Sequence, residues 1–274
     1  MTLRLLVRRE VRDSLKGYWF LLNAGLFVAG GLVLILFGQG DAEVLGYRGY
    51  ARALAGLMQL GLFFVPLMAL FPSAAALAGE REAGTLEYLL AQPLTPGELF
   101  TGKWTGVVSA VLLSLLVGFG AIGAVATLRG VPAGLVALLL GFTLLLGSTF
   151  TSVGLWVSAA SPSRARATSL GLTAWLFLLA LGSLGVMGMF VRWGLPARVL
   201  QAWSVANPVE AYRLAMISVL DPDPSLLGPV GAALVGALGR GGLVAVSAVS
   251  LAAWSAAGAW LGRRRLASHS EPRS

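Results

Sequence analysis

The sequence predicts an all-α membrane protein with six transmembrane helices and both termini in the cytoplasm. Three observations predict it. Of 274 residues, 57% are hydrophobic and only 12% charged, where a soluble domain carries about a quarter. With a mean hydropathy of +0.82, lipid rather than solvated charge must cover part of the surface. Six stretches, 18–38, 54–78, 104–127, 133–157, 168–191 and 241–261, each supply the roughly 20 apolar residues a bilayer requires, and none contains Asp, Glu, Lys, Arg or His. Finally, the basic residues are shared unevenly between the two sides. Arg4, Arg8, Arg9, Arg12, Lys16, Arg81, Lys103, Arg164, Arg166, Arg263, Arg264, Arg265 and Arg273 fall on the side holding both termini. Arg48, Arg52, Arg129, Arg192, Arg198, Arg213 and Arg240 fall on the other, over longer loops. Basic residues mark the cytoplasmic side, so the net charge of +8 is a topological signal and implies no nucleic-acid partner.

Residues 1–17 precede the first span. Leu3, Leu6, Val7, Val11 and Leu15 share one helical arc, and Arg8, Arg9, Arg12 and Lys16 mostly the other, with Arg4 and Leu5 breaking the pattern. That suits a helix lying on the membrane surface; simple positive-inside charge is the other reading. The first apolar stretch is longer than the core of a signal peptide and has no convincing small-x-small cleavage site, so it is expected to stay as a span. Arg129-Gly130-Val131-Pro132 separates the third and fourth spans, and Ser161-Pro162-Ser163-Arg164 the fourth and fifth. Residues 226–238 are also apolar, and only Arg240 and its flanking glycines divide them from the last span. The expected organisation is therefore a surface helix at 1–17, a six-span domain at 18–261 and a basic tail at 262–274. The domain carries a cytoplasmic loop at 79–103 and an outer loop at 192–240.

Composition excludes several chemistries. There is no cysteine, which removes disulfides, thiol catalysis and thiolate-bound metals. The one histidine, His269, lies in the polar tail. Spans without ionisable residues argue against ion- or proton-coupled transport. The mild polar residues within them, Asn23, Gln59, Thr143, Ser148, Thr149, Thr151, Ser152 and Thr173, are expected to bond neighbouring helices. The run from Gly97 to Trp104 matches GxxxxGK, but Trp104 replaces the magnesium-binding hydroxyl and a membrane helix follows directly, so no P-loop is expected. The 36 glycines suit close helix packing in lipid, and Gly258-x-x-x-Gly262 is one such spacing. No catalytic residue and no cofactor is expected in this chain.

Two loops are informative. In 79–103 a charged exit, Glu80-Arg81-Glu82, precedes a short helix near 85–91, a turn at 93–97 and a helical return through Leu99 to Lys103. Thr85, flanked by Glu82 and Glu87, suits a helix start, and Leu86, Leu89 and Leu90 give that helix an apolar face expected to be exposed. It could dock a soluble partner, lie on lipid, or tuck against its own bundle. In the outer loop, Asn207 suits an N-cap and Pro208 the first helical position. Glu210 and Arg213, three apart, can pair. Interfacial helices over 199–220 with tryptophan at headgroup level are expected, serving as a lid, a gate or a platform for an outer partner.

The run Gly79-Glu80-x-Glu82-x-Gly84-Thr85-Leu86-x-x-Leu89-Leu90-x-x-Pro93, closing in Leu99-x-x-Gly102-Lys103, resembles the signature of ABC-2 type transporter permeases. Arg9-Glu10-x-x-Asp13-x-Leu15-x-x-x-Trp19 is similar to that family's basic surface helix. The resemblance implies an ABC-2 (type V exporter-like) fold and a homodimer. It also implies a separate cytoplasmic ABC ATPase, holding ATP and Mg²⁺, seated on a coupling surface of Glu80, Arg81, Glu82, Gly84, Thr85, Leu86, Glu87, Leu89, Leu90 and Pro93. Arg9, Glu10 and Asp13 would belong to an N-terminal interface helix. Asn207, Pro208, Glu210, Tyr212 and Arg213 would form an outer gate or partner platform.

Within the family, Pro66-Leu67-x-Ala69-Leu70, Asn207-Pro208-Val209-Glu210-Ala211-Tyr212-Arg213-Leu214 and Arg263-Arg264-Arg265-Leu266 resemble the membrane subunits of nitrous oxide reductase maturation systems. Those subunits tend to have an acid near the end of the second span, where this chain has Ala75. That likeness implies a periplasmic partner and a role in assembling a copper–sulfide centre. Copper would want thiolate, imidazole or thioether ligands. Beyond the initiator only Met58, Met68, Met187, Met189 and Met216 remain, and Met187 and Met189 diverge by roughly 200° on a helix. The expectation is that this subunit binds no copper. A generic ABC-2 exporter of a lipid, drug or polymer, and an ATPase-independent membrane scaffold, are the alternatives.

Overall fold

A computed structural model describes residues 18–37, 51–91, 95–180, 196–220 and 227–268. Nine helices and no strand occur among them. In chain order they are α1 (Tyr18–Phe37), α2 (Ala51–Glu82), α3 (Thr85–Leu90), α4 (Pro96–Leu128), α5 (Ala133–Ala160), α6 (Arg164–Ala180), α7 (Ala197–Ala206), α8 (Pro208–Leu220) and α9 (Gly228–Ala267). Among the described residues, four helices are long and apolar enough to cross a membrane: Ala53–Glu82, Pro96–Leu128, Ala133–Ala160 and Gly228–Ala267. α1 lies on the expected first span and α6 on residues 168–180 of the expected fifth. The rest of the fifth lies outside the described residues, as do the surface helix at 1–17, Met187, Met189 and His269.

α5 is the central post, with α2, α4, α6 and α9 packed around it. Missing side chains let the backbones approach. A Cβ on Gly154 would lie 2.0 Å from Ser73 Oγ and 3.3 Å from the Ala74 nitrogen on α2. On Gly258 it would lie 2.9 Å from the carbonyl carbon of Ser152. The Gly258-x-x-x-Gly262 spacing therefore serves contacts within this chain, with Gly262 seated against Phe100 and the backbone of Trp156.

Hydroxyls do bridge helices. Ser255 of α9 bonds Ser148 at 2.8 Å and Ser152 at 3.1 Å, and Thr149 donates to the Leu251 carbonyl at 2.9 Å. Trp104 Nε1 donates to Ser152 Oγ at 2.8 Å. Thr151 and Thr173 instead turn back onto their own helices, and Gln59 is exposed.

Two helices differ in extent from the spans. At about 1.5 Å per residue, the 32 residues of α2 outrun an apolar layer of about 30 Å. Glu80, Arg81 and Glu82 thus sit on a rigid helix end rather than in a loop. α9 continues upstream of its expected start through Gly228, broken at Gly239, whose φ of 70° costs a glycine little. The apolar stretch before Arg240 is the first limb of this helix.

Candidate functional site

At one end of the bundle the 79–103 segment forms a clamp. Arg81 extends its guanidinium over the end of α5, donating to the carbonyls of Ser158 at 3.4 Å, Ala159 at 3.2 Å and Ser161. Those carbonyls end the helix, where only the Ser158 oxygen keeps a backbone bond, from the Ser161 amide at 3.3 Å, and they carry its partial negative charge. Ser158 reciprocates, its Oγ accepting from the amides of Leu77 at 3.0 Å and Ala78 at 2.9 Å. Glu82 accepts from the Arg164 amide at 2.9 Å, placing a carboxylate at the positive start of α6. Glu80 meets Lys103 Nζ at 2.6 Å, and Lys103 is only 2% exposed. All three charges of the Glu80-Arg81-Glu82 run are thus engaged within the chain.

Gly84 ends α2 with φ 71°, a left-handed turn that suits glycine, and α3 follows at once. The helix does begin at Thr85, yet no side chain caps it. Thr85 Oγ1 instead donates to the Glu80 carbonyl at 3.2 Å. The expected exposed apolar face is overturned. Leu86 is 6% exposed and part of the main core, and Leu89 and Leu90 pack against it. A six-residue helix lying beside an apolar bundle loses less by turning its leucines inward than by wetting them. What faces outward is Glu87 and Tyr88, the latter 80% exposed. Pro93 lies outside the described residues, as do Arg9, Glu10 and Asp13.

Sequence reasoning missed the start of α4. Thr95 and Glu98 form a reciprocal capping box, Glu98 N to Thr95 Oγ1 at 3.2 Å and Thr95 N to Glu98 Oε2 at 2.8 Å, with Pro96 at the first helical position. The Thr-x-x-Glu spacing with Pro was a legible signal. The GxxxxGK match falls inside this helix, where backbone amides cannot cradle a phosphate. Ser158 and Ser161 were also missed, because no local pattern tells which carbonyls a distant arginine will reach.

The second candidate group lies deep in the bundle. Asn207 Oδ1 accepts from the Val209 amide at 3.0 Å and caps α8, while its Nδ2 donates to the Leu178 carbonyl of α6 at 2.8 Å. Arg213 Nε donates to Glu210 Oε2 at 3.0 Å, and its Nη2 meets Oε1 as well. The cap and the pair fall where the spacing placed them. The interfacial setting fails for α8, most of whose residues are buried, whereas α7 keeps Val199 and Trp203 exposed. Leu214 lies over Gly231, whereas the α7–α8 junction bonds α9 further along, Ser250 to the Val205 carbonyl at 2.6 Å and Trp254 to the Ala206 carbonyl at 2.7 Å. α8 therefore runs antiparallel to the first half of α9, with its Asn207 end dipping into the bundle. Tyr212 is fully buried, its hydroxyl 3.3 Å from Thr143, about 15 Å along α5 from Ala133 at helical rise.

Two corrections follow. Asn207, Pro208, Glu210 and Tyr212 are buried and offer no surface for a platform. And charge does occur within the bundle: Glu210 is 4% exposed and its partner Arg213 28%. α8 sinks because it is apolar on several sides and its two charges neutralise each other.

The pattern of family positions now has its geometry: a helix-borne charged clamp, a short external helix and a buried α8, all on an α-helical membrane bundle. The description "ABC-2 family transporter protein" matches residues 4–262. The chain belongs to the ABC-2 transporter family. It is similar to the probable ABC transporter permease protein NosY of Pseudomonas aeruginosa, 32% identical over 225 residues, which cover 79% of this chain and 82% of that protein. It is also similar to the probable ABC transporter permease protein NosY of Stutzerimonas stutzeri, 28% identical over 231 residues, 81% and 84% of the two chains. The chain is thus an ABC-2 permease, a membrane component of an ABC transporter whose ATPase is a partner.

Proposed function

We propose that this permease is the NosY-like membrane subunit of a complex that couples cytoplasmic ATP hydrolysis to work across the inner membrane of a prokaryote. Two copies with six spans each and cytoplasmic termini pair, each seated on a NosF-like ATPase that holds the ATP and Mg²⁺. The hydrolytic chemistry belongs to that subunit. A periplasmic NosD-like protein receives the movement, or a sulfur species, for assembling the copper–sulfide centre of nitrous oxide reductase. The permease itself binds no copper.

The observation that carries the coupling role is α3. Its leucines are locked into the permease core, so Glu87 and Tyr88 are held outward on a fixed platform. A half-buried helix presenting a tyrosine is a rigid anchor for a groove on a soluble partner. The docking surface is therefore Glu87 and Tyr88 with the flanking Gly84 and Thr85, while Glu80, Arg81 and Glu82 support it from inside. The NosY-like part of the reading rests on the two relatives, which align over about four-fifths of the chain. The buried Asn207–Arg213 group favours a gate as the role of the outer hairpin.

The test is co-purification of the ATPase encoded beside this chain. Wild type is expected to retain it, and Tyr88→Ala and Glu87→Lys to lose it by tenfold or more, about 1.4 kcal/mol. Retention by both variants refutes the docking surface, and no capture by wild type favours the ATPase-independent scaffold. An adjacent frame for a periplasmic β-helix protein supports the NosY-like role, whereas a lone ATPase neighbour favours a generic exporter of lipid, drug or polymer. Stoichiometric copper on the purified subunit, lost on substituting Met187 and Met189, would sink the no-copper claim.

A further inference from the structure

The clamp joins the end of α2 to the α5–α6 corner, and it does so through backbone groups. Arg81 reaches three carbonyls at the α5–α6 corner, and Ser158 Oγ receives two amides of α2 in return. Glu82 closes the same corner at the first residue of α6. Charge-assisted bonds to fixed backbone groups hold position better than pairs of long side chains. One helical level further in, Gly154 lies so close to Ser73 that α2 and α5 cannot slide past each other without opening that contact. α4, by contrast, is tied to this end of α2 by a side-chain pair, Lys103 with Glu80. α3 hangs from α2 by the short turn Ala83-Gly84, with Thr85 bonded back to Glu80.

We infer that Arg81 is a positioning residue of the transport cycle: it makes the end of α2 and the α5–α6 corner one body, so that displacement of α3 is delivered to α6 rather than absorbed in the loop. It acts through the permease and does not touch the ATPase. The inference rests on α3 being the docking helix, and it reverses the role first expected of the Glu80-Arg81-Glu82 run, which is to transmit and not to bind.

The chain has no cysteine, so one pair of introduced thiols reports the movement. Spin labels at Leu128→Cys, on the exposed end of α4, and Ala180→Cys, exposed on α6, are read in the assembled complex with and without trapped ATP. Wild type is expected to change the label distance with nucleotide. Arg81→Ala keeps ATPase co-purification within about twofold, as expected of a residue outside the interface, and loses the distance change. Arg81→Lys keeps the charge but lacks the planar fork that spans several carbonyls, and restores less than about half of it. Should Arg81→Ala fail to give a monodisperse protein, Ser158→Ala removes only the return bonds and is expected to lower the change by about half or more.

Loss of co-purification in Arg81→Ala makes it a docking residue and overturns the inference. So does a full distance change in either Arg81→Ala or Ser158→Ala, or no change in wild type. A wild-type complex that never captures the ATPase brings down the docking reading, and transmission with it. That result differs from every outcome in which the complex assembles.

Discussion

The two polar segments of this permease treat their charges in opposite ways. At the end of α2, Arg81 and Glu82 bond the ends of neighbouring helices, and Tyr88 is left in the open. In the α7–α8 hairpin, Glu210 and Arg213 bond each other on adjacent turns of one helix, and α8 sinks among α2, α5, α6 and α9. The first arrangement spends its charges on joining elements. The second cancels them locally, which leaves α8 neutral enough to bury. A charged stretch in a membrane protein is therefore not a surface marker until its partners are known.

Five substitutions break or sharpen that contrast, from the largest expected effect to the smallest. Glu210→Ala strands Arg213 in the bundle. It should cost about 3 kcal/mol, the low end for breaking a buried pair, because Arg213 keeps 28% of its side chain exposed. A thermal-unfolding shift in detergent reads it, and an unshifted midpoint would mean that the hairpin's charges are solvated. Glu80→Gln is next, at about 2 kcal/mol, since the deeply buried Lys103 trades a carboxylate for a neutral amide. The reciprocal Lys103→Met is expected to cost less, about 1 kcal/mol, because the 26% exposed Glu80 regains water; the opposite order would place Lys103 in a wetter setting.

Tyr212→Phe removes one hydroxyl contact to Thr143, which keeps its bond to the Leu139 carbonyl. About 1 kcal/mol is expected, and a loss several times larger would show that the tyrosine holds the hairpin in register. Tyr88→Ala should leave the unfolding midpoint within about 0.5 kcal/mol of wild type, as for other surface positions, while ATPase capture falls. Destabilisation without loss of capture would assign Tyr88 to the core side of α3.

Much of this was legible in the sequence where the signal is local. Asn207-Pro208 announced a capped helix and Glu210-x-x-Arg213 a pair, because both depend only on spacing along one helix. Thr95-x-x-Glu98 was equally local and went unread. The inward face of α3 was not legible: Leu86, Leu89 and Leu90 show the same pattern whether they meet lipid, a partner or their own bundle. Nor was the placement of α8, whose composition fits an interfacial helix as well as a buried one.

By itself, the sequence determined which segments seek lipid and where helices start, stop and cap, because bilayer thickness and backbone hydrogen bonding act on short stretches. Its family signature also pointed to an ABC-2 permease. Only the tertiary structure decided that Arg81 ends on the carbonyls of Ser158, Ala159 and Ser161, about eighty residues away, and that Tyr212 ends beside Thr143 and Gly61. Those outcomes depend on which helices become neighbours. That choice is made by close approach at residues such as Gly154 and Gly258, whose small size permits contact without naming the partner.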